Sequence, residues 1–161
     1  CGRGKFEALP ARTMSIDELI PDESAIVELR GDSADAILAE LAELLARRLD
    51  LVPGPLLAQL REREGLGSTA IGRGLALPHA RANVARSSGV LGIAREGVEF
   101  GAPDAGPVFV FLGLVSPPQP NEHLRALACV SRCFSDPATA DRIRACADAA
   151  AILALLHGSS T

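Results

Sequence analysis

The sequence predicts a single α/β domain in which a mixed β-sheet carries helices on both faces. Three observations predict it. One apolar run, PVFVFLGLVSP at 107–117, has strand length and no charged interruption, as a strand buried on both faces requires. Segments with helical spacing of apolar residues lie before and after it. The order of elements is strand, two helices, several strands, then three helices, which is neither strict strand–helix alternation nor all-helical. A chain of 161 residues, 48% of them apolar, is most simply one domain with a sizeable core.

Each element has its own signal. Residues 1–13, CGRGKFEALPART, show no clear period and are set apart as a linker, a tag or the remnant of something upstream; the domain is taken as 14–161. MSIDELI, from Met14, opens an amphipathic segment. AIVELRG (25–31) reads as a short strand stopped by Gly31. In 32–50, Ile37, Leu38, Leu41, Leu44, Leu45 and Leu49 share one helical face, and Asp32 or Ser33 can cap its start. PGPLLAQLREREG (53–65) is a second helix, with Pro55 near its first turn and Gly65 as its stop. GSTAIGRGLALPHAR (67–81) holds two short extended pieces punctuated by glycines. Pro78 has no N–H, so LALP is expected to end its hydrogen-bond ladder there and leave His79 at a strand end. GVLGIAREGVEF (89–100) reads as a strand, a Glu96-Gly97 turn and a second strand. In 121–134, Leu124, Leu127, Val130 and Phe134 form a helical stripe. Asp136-Pro137 starts another short helix as cap and first-turn proline, and Asp148 begins the last, which Gly158 closes.

Composition excludes several functions. Aromatic residues make up 3%, with no Trp or Tyr, so the stacking platforms of single-strand nucleic-acid binders are missing. A net charge of −4 argues against nucleic acid generally. No run approaches the length of a membrane span and no signal peptide is evident, so no membrane insertion and a cytoplasmic location are expected. Cys1, Cys129, Cys133 and Cys146 form no CxxC, and a domain of this size needs no disulfide staples. They are read as small buried apolar residues in a reducing compartment. Cys129 and Cys133 lack zinc-type spacing, so no metal is expected.

His79 is the residue that composition does not explain. Glycines at 65, 67, 72 and 74 let the backbone turn sharply around it. Imidazole is the side chain whose resting pKa lies nearest neutrality, so it can be an uncharged nucleophile. A hydrolase using His79 as general base would need a nucleophile beside it, and no nucleophile-elbow pattern surrounds Ser68 or Thr69.

The residues leading to His79 form a longer pattern. It runs from Glu64 across a six-residue gap to Ile71, Gly72, Arg73-Gly74, and then Leu75-Ala76-Leu77-Pro78-His79-Ala80. Arg63 stands sixteen residues before the histidine, and His123 sits in an NEHL helix start. This arrangement resembles the enzyme IIA components of the fructose/mannitol class of the bacterial phosphoenolpyruvate-dependent sugar phosphotransferase system, including the nitrogen-regulatory members. The pattern matches at every position over 64–80, and the element order fits over roughly 14–158.

The resemblance implies a mannitol-type enzyme IIA fold and a phosphotransferase component. It implies that His79 accepts a phosphoryl group on Nε2 from a histidine phosphocarrier protein and passes it to a permease IIB domain, without cofactor or metal. In nitrogen-type members, the phosphorylation state would instead control binding to a regulated protein. The absence of any permease segment in this chain leans toward the regulator. A homodimer is compatible with either role. Arg63 and His123 match the family's site arginine and second histidine. Ser68 and Thr69 are added as hydroxyls near the phosphoryl group. The physics fits these roles, because phosphoryl transfer needs alignment and charge stabilisation more than covalent help. A guanidinium about 4 Å from the new charge contributes on the order of 4 kcal/mol before desolvation. Arg61, Arg73 and Arg81 are read as surface charges, with Arg73 or Arg81 able to meet an acidic partner. His157, at a helix end, is given no function.

Overall fold

A computed structural model of the chain describes residues 13–158. The segment set apart at the N-terminus therefore lies outside the described residues, except for Thr13. The first helix, α1 (Ile16–Leu19), is capped by Ser15 and buries Ile16 and Leu19. A 3-10 turn at Glu23–Ala25 leads into β1 (Ile26–Glu28), which is shorter than the sequence suggests. The reason is competition for its amides. Leu29 N–H still donates to Ile93 O at 2.8 Å, but the Arg30 and Gly31 amides turn to the Glu40 carboxylate. That carboxylate lies on α2 (Ala34–Leu49), whose cap is Ser33, accepting from Ala36 N at 3.2 Å. The third helix, α3 (Pro53–Gly65), starts on Pro53 and has Pro55 in its first turn as expected.

The sheet contains β2 (Ala70–Gly72), β3 (Leu75–Ala76), β4 (His79–Arg81), β5 (Ser88–Val98) and β6 (Val108–Ser116) beside β1. Its order is β1-β5-β6-β3-β2, with β4 also on β6. Parallel pairs (β1–β5, β3–β6, β4–β6) and antiparallel pairs (β2–β3, β5–β6) make it mixed. The central strand β6 is the apolar run, buried almost throughout.

Two expectations need correction here. The ladder does not end at Pro78. Leu75 pairs Val110, Ala76 pairs Phe111, and His79 pairs Leu114 in the same register, so β3 and β4 are one strand interrupted at Leu77-Pro78. Proline withholds a donor, yet its carbonyl still accepts from Leu114 N at 3.0 Å. His79 thus opens a strand rather than closing one. Nor is Glu96-Gly97 a hairpin turn. β5 continues through it, and between Ile93↔Val110 and Val98↔Val108 the register slips, so β5 bulges. Gly97 has φ 76°, and a Cβ there would stand 2.7 Å from the Phe109 ring. The true two-residue turn is Arg73-Gly74, at φ 58° and 80°, joining β2 to β3.

The remaining helices are α4 (Pro120–Cys133), α5 (Thr139–Ala145) and α6 (Ala149–Gly158). α5 begins at Thr139, after a turn in which Asp136 accepts from Ala138 N at 2.9 Å. One core packs α1, α4, α5 and α6 on one face of the sheet; the other packs α2 and α3 on the opposite face, which gives the helices-on-both-faces architecture. On α4 the buried residues are His123, Ala126, Cys129 and Val130; of the expected stripe Val130 and Phe134 are buried and Leu127 packs against the core, but Leu124 is 61% exposed. Of the described cysteines only Cys129 is fully buried; Cys133 and Cys146 are half-buried, and burial pushes the Cys133 thiol up to about 11. Among the described residues no helix is long and apolar enough to cross a membrane.

Candidate functional site

The glycine-punctuated segment shows why its residue types sit where they do. Glu64, near the end of α3, accepts the Thr69 amide at 3.2 Å on both carboxylate oxygens, and the Thr69 hydroxyl also donates to it. An acceptor at this position therefore ties the helix to the loop that follows. Ala76 lies between Thr69 and the central strand: Leu77 N–H donates to Thr69 O at 3.1 Å, and Ala76 pairs with Phe111. Phe111 is flanked across the sheet by Ala76 and Gly92, two small residues that leave space for its ring. Ala80 is buried in the α2/α3 core. His79 is the one imidazole in this stretch, and its Nε2 is left without a bond among the described residues.

The His79 ring is half-buried at the start of β4. Its Nδ1 lies 2.8 Å from Leu77 O. A carbonyl oxygen only accepts, so Nδ1 carries the proton and Nε2 of the neutral ring holds the lone pair. The His123 ring stands with its centroid 5.3 Å from that of His79, tilted by 45°. It comes from the first turn of α4 and is only 6% exposed. Both rings line an open hollow of about 290 Å³ together with Gln59, Glu62, Arg63, Leu66 and Arg81. A larger cavity, of about 670 Å³, is lined by Met14, Leu49, Arg86 and Glu122 among others and contains no imidazole. Chemistry, not size, selects the smaller hollow.

The structure thus brings His79, His123 and Arg63 together. Arg63 Nη1 donates to Gly67 O at 2.9 Å, which steadies the guanidinium at the end of α3. Ser68 and Thr69 do not line the hollow. The Ser68 hydroxyl donates to Phe100 O at 2.5 Å and the Thr69 hydroxyl to Glu64, so both are spent on holding the loop. Two further residues line the hollow: Gln59, which the sequence did not single out, and Arg81, which it marked as a surface charge able to meet an acidic partner. Arg81 was readable as the residue two places after His79 on an extended segment, hence on the same side. Gln59 left no such signal. Arg61 forks onto Asp35 at 2.7 and 2.9 Å, an exposed pair apart from the hollow. His157 Nε2 is 3.0 Å from Ile20 O, away from the other two histidines.

Burial holds the His123 imidazole below its usual range, and the nearby charges of His79 and Arg81 lower it further. His123 is therefore neutral at pH 7 and acts as a hydrogen-bonding ring rather than a fixed cation. Its Nδ1 is buried without a partner among the described residues. The shift has a consequence for stability. The unfolded chain binds this proton more tightly, so stability is full above about 6.5 and falls as pH drops from there through the folded value. Melting temperatures should decline across that window, and less steeply in His123→Gln. Equal slopes in the two proteins would contradict the assignment.

Comparison with known proteins follows the same line. A nitrogen regulatory protein of Bradyrhizobium diazoefficiens is 32% identical over 145 residues, which is 89% of this chain and 95% of that protein. The crystal structure of nitrogen regulatory protein IIA-Ntr from Neisseria meningitidis superposes with a TM-score of 0.77 at 32% identity, covering 84% of this chain and 94% of that one. The IIA mannitol of Escherichia coli shares the fold at 20% identity, with a TM-score of 0.72 over 84% of this chain and 97% of that one. It has also been solved in complex with phosphorylated enzyme IIBMTL. The family described as phosphoenolpyruvate-dependent sugar phosphotransferase system, EIIA 2, matches residues 18–158, and the chain belongs to that family.

Proposed function

We propose that this protein carries a phosphoryl group on Nε2 of His79, taking it from the phosphohistidine of a histidine phosphocarrier protein and handing it to a second protein. The observation that carries this reading is the Nδ1–H to Leu77 O bond at 2.8 Å beside a second imidazole and a guanidinium. The Nε2 lone pair attacks phosphorus, and the P–N bond to the donor ring breaks with its electron pair returning to that ring. The proton stays on Nδ1, donated in a hydrogen bond to Leu77 O. It leaves the phosphorylated ring cationic, and hence a good leaving group for the next transfer. Arg63 and His123 supply hydrogen-bond donors to the phosphoryl oxygens.

Two receivers fit. A IIB domain is one, in line with the complex known for the E. coli mannitol protein. The other is a regulated target, and the 32% identity to a nitrogen regulatory protein along nearly its whole length favours it. Leu66, 82% exposed, lines the hollow beside the two histidines, and Leu124, 61% exposed, follows His123 on α4, so both offer an apolar rim to either. Phosphorylation would place about two negative charges inside that rim, so a regulated target should distinguish the two forms. Incubation with labelled phosphoenolpyruvate and the general phosphotransferase proteins should give acid-labile, base-stable label on the wild-type chain. No label, or label stable to acid, would refute the reading. Binding to a purified target that ignores phosphorylation would remove the regulatory version.

A further inference from the structure

We propose that Arg81 is a second cation on the phosphoryl group, and that Gln59 is the positioning residue that holds Arg81 and His79 in place. The inference rests on the reading of His79 as the acceptor. His79 and Arg81 are two residues apart on β4, so their side chains leave the strand on the same side, and both line the hollow. One flank of β4 is paired with β6. At the other, Gln59 Nε2 donates to Arg81 O at 2.7 Å, and Arg81 N donates to Gln59 Oε1 at 3.1 Å. A side-chain amide thus supplies the paired donor and acceptor that a neighbouring strand would give. Gln59 and Arg63 are four residues apart on α3, adjacent on its surface. A single clamp therefore sets the spacing between the helix that presents Arg63 and the strand that presents His79.

Charge counting calls for the second cation. Glu62 also lines the hollow, and its carboxylate offsets one guanidinium. With Arg63 alone the two fixed charges cancel, and an incoming dianion would meet no net positive field. Arg81 makes that field positive. Its guanidinium has no hydrogen bond or ion pair among the described residues, whereas Arg61 is tied to Asp35 and Arg63 to Gly67 O. Arg81 lines the same hollow as both rings, so its charge faces the space a phosphoryl group would enter.

The test uses the full chain, phosphorylated by the phosphotransferase proteins or by potassium phosphoramidate. The 31P signal of the phosphohistidine is followed against pH for wild type, Arg81→Ala, Arg81→Lys and Gln59→Ala, with circular dichroism to confirm that each variant is folded. A nearby cation lowers the second phosphoryl pKa from its ordinary value of about 6. In Arg81→Ala that pKa should rise by about one unit, with acceptance slowed roughly 10- to 100-fold, in line with the loss of a close opposite charge. Arg81→Lys should restore most of the pKa, and Gln59→Ala should move both readouts part-way. A folded Arg81→Ala with wild-type pKa and rate overturns the role of Arg81. A folded Gln59→Ala with both unchanged overturns the clamp. Failure of the wild type to accept phosphate on His79 from either donor instead defeats the underlying reading, and this inference with it.

Discussion

His79→Ala is expected to abolish phosphoryl acceptance, lowering the label by at least about 10³-fold, because no other group can take its place. The nucleophile in such a transfer is not one contributor among several; removing the residue that forms the bond removes the reaction. His123 is the nearest substitute, yet it is 94% buried by its 6% exposure and its Nδ1 faces the interior. His157 is engaged with Ile20 O and does not line the hollow. The described cysteines offer no alternative: none lines the hollow, burial raises the thiols of Cys129 and Cys133 away from the thiolate form, and Cys146 Sγ donates to Arg142 O at 3.3 Å. Melting curves should show His79→Ala folded, because the ring is half-buried and its one recorded hydrogen bond joins it to a neighbour two residues away. Substantial label remaining on a folded His79→Ala would move the chemistry elsewhere.

The largest effect on stability is expected at Phe111, on the central strand. Its side chain is fully buried and meets Phe100 edge-on, with ring centroids 5.1 Å apart. Phe111→Ala should cost about 3–5 kcal/mol, the range for truncating a buried phenylalanine when the surroundings cannot collapse into the space. The neighbours cannot collapse easily, since Ala76 and Gly92 beside it are already small and fixed by sheet pairing. For a domain of this size the melting temperature should fall by roughly 10 °C. Loss below about 1 kcal/mol in urea unfolding would show that the ring is not packed as described. The same change should weaken phosphoryl acceptance at temperatures where the protein is still folded, because β3 is aligned on Phe111 and β4 continues its register.

Much of this arrangement is legible in the residues. The apolar run at β6, the caps of α2 and α6, and the spacing of Arg63 from His79 are local signals, and each has a local physical cause. What stayed hidden depends on partners distant in sequence. Glu96-Gly97 carries the same turn chemistry whether the chain reverses or bulges, and only the pairing with β6 decides. The apolar stripe on α4 follows helical periodicity through Leu127, Val130 and Phe134, but at the first turn it is His123, beside the His79 ring, that is buried while Leu124 is exposed. Ser68 and Thr69 are hydroxyls beside a glycine loop, and a sequence does not reveal that Phe100 O and Glu64 already bind them. The Gln59 clamp joins residues 22 apart through a backbone amide and carbonyl, a contact without any side-chain pattern.

The most direct test of the account is a long-range 1H–15N correlation spectrum of the phosphorylated, uniformly 15N-labelled chain. The geometry predicts one phosphorylated imidazole, at residue 79, with phosphorus on Nε2 and the proton retained on Nδ1, while His123 stays unmodified. Phosphorus on Nδ1 of His79, or on any other histidine, would contradict it.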